Sequence, residues 1–529
     1  MPNSASKPSC ASSPKSCWQC SKRRLVCDLG KPGCKKCANH GVECPGYETK
    51  PLQWMQPGQT RSKGARKTER LRSSRKAASQ ATKDEPTTLN TGRTTTECSL
   101  PPKCSDREEA LIVYPMVTDK STFGLLIQAL NYHNINISPD LVATGDRSPD
   151  NPFIVQAGFA SAIPLVIVEV IICTALGHRM VQSVQGFEVD RNAMAVKLRR
   201  HRGAAISAVA SGLSHKEAQW QDKTLISVVL LLLSEIQHSL SPNWWQHLDG
   251  AYSLIYMRGG LPHLISSMPR YRNLFRYFFH IDVFGATTAP CVDERRVQQQ
   301  LSVIGHLKTL YGDGLLTSTP CPPELVSCII FTNYIRSQQR SLTSSSPSNC
   351  FISLEDSYHP LHQILAFDPQ AWASSLSLHK SQGSDPEDRH KHLPPSWNWT
   401  RIGRIYQSAV ALYCVESVDP PPELGHADIR YAHREILLQQ LRQLTHGSRN
   451  QLRKLVIWPM VIAGLVLDFD DQVSQDFVTE ELTWLSATLG TAAPLIARDL
   501  LRRLWHSSVY SRYGRTWEDL FDRPYVFAI

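Results

Sequence analysis

The sequence has 529 residues, of which 42% are hydrophobic and 20% are charged, and its formal net charge is +10. These values exclude a chain too polar to fold, and they allow a small module beside a large globular domain. The charge is unevenly distributed: residues 1–103 carry 20 of the 57 Lys and Arg but only 7 of the 47 Asp and Glu. This excess of positive charge indicates a polyanion-binding region at the N-terminal end.

The first sixteen residues are rich in Ser, Pro and Lys, and this composition predicts a disordered tail over 1–16. Six cysteines follow in the spacing C-x2-C-x6-C, which occurs twice: Cys17, Cys20, Cys27, Cys34, Cys37 and Cys44. A Cys-x2-Cys pair places two thiolates about one helical turn apart, so both can bind one metal ion. Six sulfurs can give two zinc ions four ligands each only if two sulfurs bridge, so the count predicts a two-metal cluster.

A disulfide framework is the alternative interpretation of these six cysteines. The first twenty residues are polar, so no secretory leader is expected, and the repeated spacing favours metal binding. The nine remaining cysteines have no ligand spacing and indicate reduced thiols in the cytosol or nucleus.

The cysteine segment resembles the binuclear zinc cluster of fungal transcription factors. Further residues match that family: Lys22, Arg23, Arg24, Asp28, Pro32 and Cys44-Pro45-Gly46-Tyr47. The resemblance implies a DNA-binding domain over residues 17–47 with two zinc ions bound by the six cysteines, of which Cys17 and Cys34 bridge. Val26 departs from the family, which usually has Lys immediately before the third cysteine.

The resemblance also implies which residues contact double-stranded DNA. In the family a short helix begins after each Cys-x2-Cys pair, and the first helix points into the major groove. Lys22, Arg23 and Arg24 would lie on that helix, where Lys and Arg can bind guanine O6 and N7. Lys35 and Lys36 are expected to contact phosphate. The half-sites implied by the resemblance are CGG-like.

Residues 48–106 are predicted to form a disordered basic linker. Within it, 61–76 holds eight basic residues, which we interpret as a nuclear-import signal or a phosphate-binding arm: Arg61, Lys63, Arg66, Lys67, Arg70, Arg72, Arg75 and Lys76. A solvated linker without either role is the alternative. Large apolar residues are too few between 48 and 103 for the heptad repeat with which many family members dimerise, so no coiled coil is predicted there.

From residue 107 onwards apolar positions recur at three- and four-residue spacing, which predicts an all-helical domain over 107–529. Three segments resemble the fungal-specific transcription factor domain of the second type: 247–260, 282–286 and 458–464. Each of them also fits an ordinary helix with a glycine end or a tight packing site. No transmembrane helix is predicted, because Pro164 and Glu169 interrupt the longest apolar run.

Two segments rich in acidic and aromatic residues, 467–482 and 517–527, allow two interpretations. They could form an activation surface, or they could be an amphipathic helix and a packed C-terminal tail. The nineteen histidines suggest an enzyme, but motifs for a zinc hydrolase, a serine nucleophile, a phosphate loop or a dinucleotide site are absent from the sequence. We therefore predict that the protein is not an enzyme.

These observations together predict a nuclear, sequence-specific DNA-binding regulator of RNA polymerase II genes, specific for one pathway such as a metabolic or secondary-metabolite gene cluster. The helical domain would control activity through homodimerisation, a coregulator or a small-molecule effector. A ligand-sensing receptor domain whose output is DNA binding is the alternative. A large apolar pocket in the helical domain would favour that alternative, and a solid core would count against it.

Overall fold

The computed structural model describes residues 17, 19–20, 23, 25–30, 33–42, 44, 120–145, 147, 151–182, 191–215, 217–238, 244–312, 317–344, 354–378, 396–418, 426–445, 451–506 and 516–527. The chain divides into two compact units, residues 1–89 and 90–529. The predicted tail over 1–16 and the predicted linker over 48–106 lie outside the described residues. The predicted fold class, a small cysteine-rich module and a large helical domain, is confirmed, and the described residues contain no β-strand.

The described residues of the first unit include the short helix α1 (Lys35–Ala38), and the buried side chains among them are those of the cysteines. The α-helices of the second unit, in chain order, are α2 (Lys120–Asn136), α3 (Leu165–Gln182), α4 (Arg191–Ser214), α5 (Asp222–His238), α6 (Trp244–Met257), α7 (Leu261–Ser267), α8 (Arg272–Thr287), α9 (Glu294–Val303), α10 (Leu307–Tyr311), α11 (Pro323–Ser344), α12 (Leu354–Ala366), α13 (Pro369–Leu378), α14 (Ser396–Ser417), α15 (His426–Thr445), α16 (Ile457–Leu465), α17 (Gln472–Leu489) and α18 (Ala493–His506). Short 3-10 turns lie between several of them, as at Ser138–Leu141, and a further one, Trp517–Leu520, follows α18.

Helix ends follow local chemistry. Asp293 begins α9 by accepting a hydrogen bond from the backbone N–H of Arg295, and Asp471 begins α17 by accepting one from Ser474. Gly490 ends α17 in the left-handed conformation, with φ of 61°. Residues 480–505 therefore belong to two helices, α17 and α18, because Gly490 ends the first of them.

Consecutive helices pack against each other, as α3 does on α4 and α14 on α15. The second unit is closed by contacts between distant parts of the chain, of α17 with α3 and of α18 with α5. Its main core is lined by aromatic side chains from several helices, including Phe278 of α8, Tyr406 of α14 and Trp458 of α16. A smaller cluster between α2 and α3 is built around Leu126 and Ile172.

Helix α3 is long and apolar enough to cross a membrane, and it is the only helix of the described residues with these properties. Half of that span is buried within the protein. Its Glu169 carboxylate lies 2.6 Å from His201 Nδ1 of α4, so the acidic residue of this helix has a partner inside the domain. These contacts are those of a core helix of the folded domain.

Candidate metal centre and nucleic-acid interface

The two Cys-x2-Cys turns have the same local geometry. The backbone N–H of Cys20 donates to Cys17 Sγ at 3.4 Å, and that of Cys37 donates to Cys34 Sγ at 3.3 Å. In each turn the backbone amide of the second cysteine therefore orients the sulfur of the first through a hydrogen bond. Cys34 is also the residue that precedes α1, so the second turn leads directly into a helix.

The six sulfurs form two groups of four: Cys17, Cys20, Cys27 and Cys34, and Cys17, Cys34, Cys37 and Cys44. Within each group all sulfurs lie within 4.8 Å of one another, and the two groups share Cys17 and Cys34. The Cys17–Cys34, Cys17–Cys37 and Cys20–Cys34 sulfur separations are each 3.6 Å. A tetrahedral zinc site with Zn–S bonds of about 2.3 Å requires sulfur separations of about 3.8 Å, whereas a disulfide requires about 2.05 Å. The donor set therefore fits zinc, and the six cysteines are free thiols.

The raised pKa values of the buried thiols indicate that their thiolate forms need a nearby cation. Burial, with hydrogen bonds from neighbouring sulfurs, raises the pKa of Cys20 to about 12. Burial likewise raises the pKa values of Cys34 and Cys37 above the usual thiol range. Crowded thiolates repel one another, and a bound Zn²⁺ offsets this repulsion and deprotonates the thiols that it coordinates.

Asp28 connects the two halves of the cysteine module. Its carboxylate accepts the backbone N–H of Lys35 at 2.9 Å and that of Lys36 at 3.3 Å, at the start of α1. These hydrogen bonds, that of Lys35 first, lower the pKa of Asp28. From the sequence, Asp28 was identified only as a residue that matches the family. Its position directly after Cys27 was the sequence signal for its role in binding the amides at the start of α1.

The predicted DNA-contacting residues are placed only in part. Arg23, Lys35 and Lys36 are described and exposed, so their side chains are free to reach a ligand. Lys22, Arg24 and the whole predicted arm over 61–76 lie outside the described residues. Val26 is 82% exposed, so this position, where the family usually has Lys, faces solvent.

The family-like segments of the helical domain meet in its core. Trp458 Nε1 donates to Thr287 Oγ1 at 2.9 Å, and its ring packs edge-on against Phe284, with centroids 5.1 Å apart. A Cβ on Gly464 would lie 2.5 Å from Leu501 Cδ1, so any larger residue at that crossing of α16 and α18 would displace the Leu501 side chain. These residues serve packing.

Asp282, in another of these segments, is part of a buried polar chain. Its carboxylate accepts from the Tyr252 hydroxyl at 2.7 Å and from Gln300 Nε2 at 2.8 Å. Burial raises the pKa of Asp282, while the nearby Arg296 guanidinium lowers it. The hydrogen bonds run on from Gln300 through Asn333 to the Tyr413 hydroxyl, so they link α6, α8, α9, α11 and α14.

Two cavities bear on the question of a small ligand. One, with a volume of about 40 Å³, lies beside the ion pair of Lys454 Nζ and Asp140 Oδ1, which are 2.7 Å apart. That volume suits a few water molecules rather than a metabolite, for which pockets measure roughly 300–1,000 Å³. The other, of about 660 Å³, is an open groove between α17 and α18 lined by residues that include Trp484, Arg498 and Arg502.

Sequence comparison assigns both parts of the chain to families. Residues 15–53 match the family described as the fungal Zn(2)-Cys(6) binuclear cluster domain. Residues 128–527 match the family described as the fungal specific transcription factor domain. No solved structure matches the chain.

One relative is similar over almost the whole length. The phomenoic acid biosynthesis cluster-specific transcriptional regulator of Leptosphaeria maculans is 28% identical over 533 residues, covering 97% of this chain and 89% of the relative. Two others are similar only over a short segment, 8% of this chain. Arginine metabolism regulation protein II of Saccharomyces cerevisiae is 42% identical over 43 residues, 5% of its length. Pestheic acid cluster transcriptional regulator 3 of Pestalotiopsis fici is 48% identical over 42 residues, 7% of its length.

Proposed function

Because the chain belongs to the fungal specific transcription factor family and carries a Zn(2)-Cys(6) binuclear cluster domain, we propose that it is a pathway-specific regulator of RNA polymerase II genes that reads CGG-like half-sites. Zinc binding, DNA binding and transcription regulation are the general properties of the two families that the chain matches. The observation that carries the proposal is the pair of four-sulfur groups that share Cys17 and Cys34. A metal-folded module of this size can place a basic surface against DNA without a large core.

The six cysteines bind two zinc ions in this proposal, and Cys17 and Cys34 bridge them. Sulfur separations of 3.6 Å support it, because they are close to the edge of a zinc–thiolate tetrahedron. When bound, zinc would supply the positive charge that holds the six thiolates together. Asp28 then positions α1 through the amides of Lys35 and Lys36.

DNA recognition is assigned to the basic side chains around the cluster. Lys22, Arg23 and Arg24 contact base edges, while Lys35 and Lys36 contact phosphates. Six thiolates around two Zn²⁺ ions leave the metal core anionic, so attraction to DNA must come from these side chains. The basic stretch over 61–76 adds phosphate affinity or directs import into the nucleus.

Pathway specificity is proposed from the relatives. The Leptosphaeria maculans regulator is named for the phomenoic acid biosynthesis cluster and that of Pestalotiopsis fici for the pestheic acid cluster, and the first of them is similar over nearly the whole chain. A biosynthetic gene cluster is therefore the target that we propose.

The helical domain works, in this proposal, through a homodimer interface, a coregulator or an effector. The ligand-sensing alternative receives less support, because the cavity beside Lys454 measures only about 40 Å³ and the groove beside Trp484 is open to solvent. A coregulator or a second copy needs only a surface, which the domain provides.

The test is a binding selection from random duplex DNA with the zinc-loaded full chain. Enrichment of one or two CGG-like triplets is expected, and two triplets at fixed spacing would indicate a dimer. Cys20→Ala, which removes one zinc ligand, should abolish enrichment, whereas Cys291→Ala, at an exposed cysteine of the helical domain, should not.

Binding without sequence preference would contradict the proposal of a specific reader. In that case Val26→Lys, which restores the usual family residue, is the variant to select next. Retained enrichment in Cys20→Ala would contradict the assignment of that ligand.

A further inference from the structure

The N-terminal end of α17 holds two apolar side chains in solvent. Phe469, in the turn before the helix, is 79% exposed, and Val473, in its first turn, is 77% exposed. Later residues of the same helix, such as Val478 and Leu482, are fully buried in the core. The helix therefore packs one side into the domain while its first turn and the preceding residues carry apolar groups that the fold does not use.

These exposed groups are held by an ordered backbone. Gln475 Nε2 donates to the carbonyl oxygens of Asp468 and Phe469 at 2.8 and 3.1 Å, so the turn is fastened to the helix that follows. The Asp468 carboxylate accepts from Arg434 of α15. Asp471 caps the helix through the N–H of Ser474. Because both sides of Phe469 are fixed, its ring is presented to solvent by the fold.

Carboxylates flank the two apolar groups along the chain, since Asp470 directly follows Phe469 and Asp476 lies about one helical turn after Val473. Asp470, Asp476 and Glu480 are exposed, and among the described residues none of them forms an ion pair. Arg434 and Arg442 of α15 reach this end of α17, but they are already engaged. Arg434 binds Asp468, and Arg442 donates to the Ser474 hydroxyl and lies over the Phe477 ring. The surface is therefore apolar at its centre and acidic at its rim.

We propose that this surface, defined by Phe469, Asp470, Val473 and Asp476, docks a partner protein with a shallow apolar pocket rimmed by Lys and Arg. The proposal rests on the proposed function, since such a partner would be the coregulator of the helical domain. Buried aromatic anchors within a charged rim are the usual source of affinity in such interfaces. The acidic rim would steer a basic partner and reject others.

The negative charge of this surface also indicates which kind of partner can bind it. A second copy docked by two-fold symmetry would bring these carboxylates against themselves, which is unfavourable. Nucleic acid and anionic lipid surfaces are repelled for the same reason. A partner protein with a basic surface has the charge that complements the acidic rim.

The experiment tethers the full chain to a reporter through a heterologous bacterial DNA-binding domain and its operator. Tethering makes the readout independent of the zinc cluster. Phe469→Ser with Val473→Ser should reduce the effect of the tethered chain on the reporter by about tenfold, as should Asp470→Lys with Asp476→Lys. The matched control is Tyr256→Ser on α6, which removes a side chain that is 77% exposed and should change the effect less than about twofold.

An unchanged reporter in both double variants would overturn the proposal. An equal loss in Tyr256→Ser would also overturn it, because the effect would then not be specific to this surface. A tethered wild-type chain without any effect would overturn it as well, whatever the DNA selection gives. The substituted positions are exposed, so thermal unfolding of each variant should match the wild type, and a variant that melts lower is replaced by Phe469→Thr.

Discussion

At the scale of single residues, Gly490 is under tight steric constraint. Its φ is 61°, and a Cβ there would lie 2.4 Å from His178 Cδ2. Gly490→Ala should therefore lower the free energy of unfolding by about 2–4 kcal/mol, measured by urea denaturation. Gly203→Ala is the matched control, because a Cβ there meets nothing within 4 Å in α4 and should stabilise the domain by about 0.5–1 kcal/mol. Equal effects of the two substitutions would contradict this assignment.

His280 gives the helical domain a predictable dependence on pH. Burial, with the nearby Arg276 guanidinium, lowers the pKa of His280 to about 3, and its ring packs among Tyr277, Phe284 and Tyr311. The unfolded chain takes up a proton near pH 6.5 and the folded chain does not, so stability is lost as pH falls below 6.5. Between pH 7 and 5 this residue should account for a loss of about 2 kcal/mol.

His280→Phe removes this titration and keeps a ring in the core. Urea unfolding at pH 7 and at pH 5 should therefore show a smaller difference in the variant, by about 2 kcal/mol. Tyr311→Phe, which alters a neighbouring ring without a group that titrates between pH 5 and 7, is the control and should keep the wild-type difference. An unchanged difference in His280→Phe would contradict the assignment.

At the scale of elements, the C-terminal segment 516–527 is part of the core. Trp517 Nε1 donates to the Thr287 carbonyl oxygen at 2.7 Å, and the Tyr525 N–H donates to that of Thr288 at 3.1 Å. Arg336 of α11 is fully buried, and its guanidinium lies 2.9 Å from the Glu518 carboxylate. Of the two interpretations that the sequence allowed for 517–527, the packed tail agrees with these contacts.

Glu518→Gln should destabilise the domain because it leaves the buried Arg336 without its carboxylate. We expect a loss of about 2–4 kcal/mol in the free energy of unfolding, by urea denaturation. Asp499→Asn is the control, since the Asp499 side chain is 58% exposed and the loss of its ion pair with Arg498 should cost less than about 1 kcal/mol. A loss in Glu518→Gln no larger than in the control would show that the tail docks without this ion pair.

At the scale of the whole molecule, the two units have cores of different kinds. The first is held by cysteines, whereas the second is held by apolar helices. A zinc chelator should therefore abolish DNA binding and leave the helical circular dichroism signal nearly unchanged, and added zinc should restore binding. The two measurements are made on the same chelated full chain, and parallel loss of the helical signal would contradict this independence.

The sequence determined the chemistry of the chain. Ligand spacing is local, so the six cysteines were sufficient to predict a zinc module, and helical periodicity was sufficient to predict an all-helical domain. The tertiary structure decided what no local pattern encodes. Arg336 is paired with Glu518 across 182 residues, and Phe469 lies in solvent although Val466 and Leu467, just before it, are buried. Such contacts join residues far apart in sequence, and burial depends on every element that packs around a side chain.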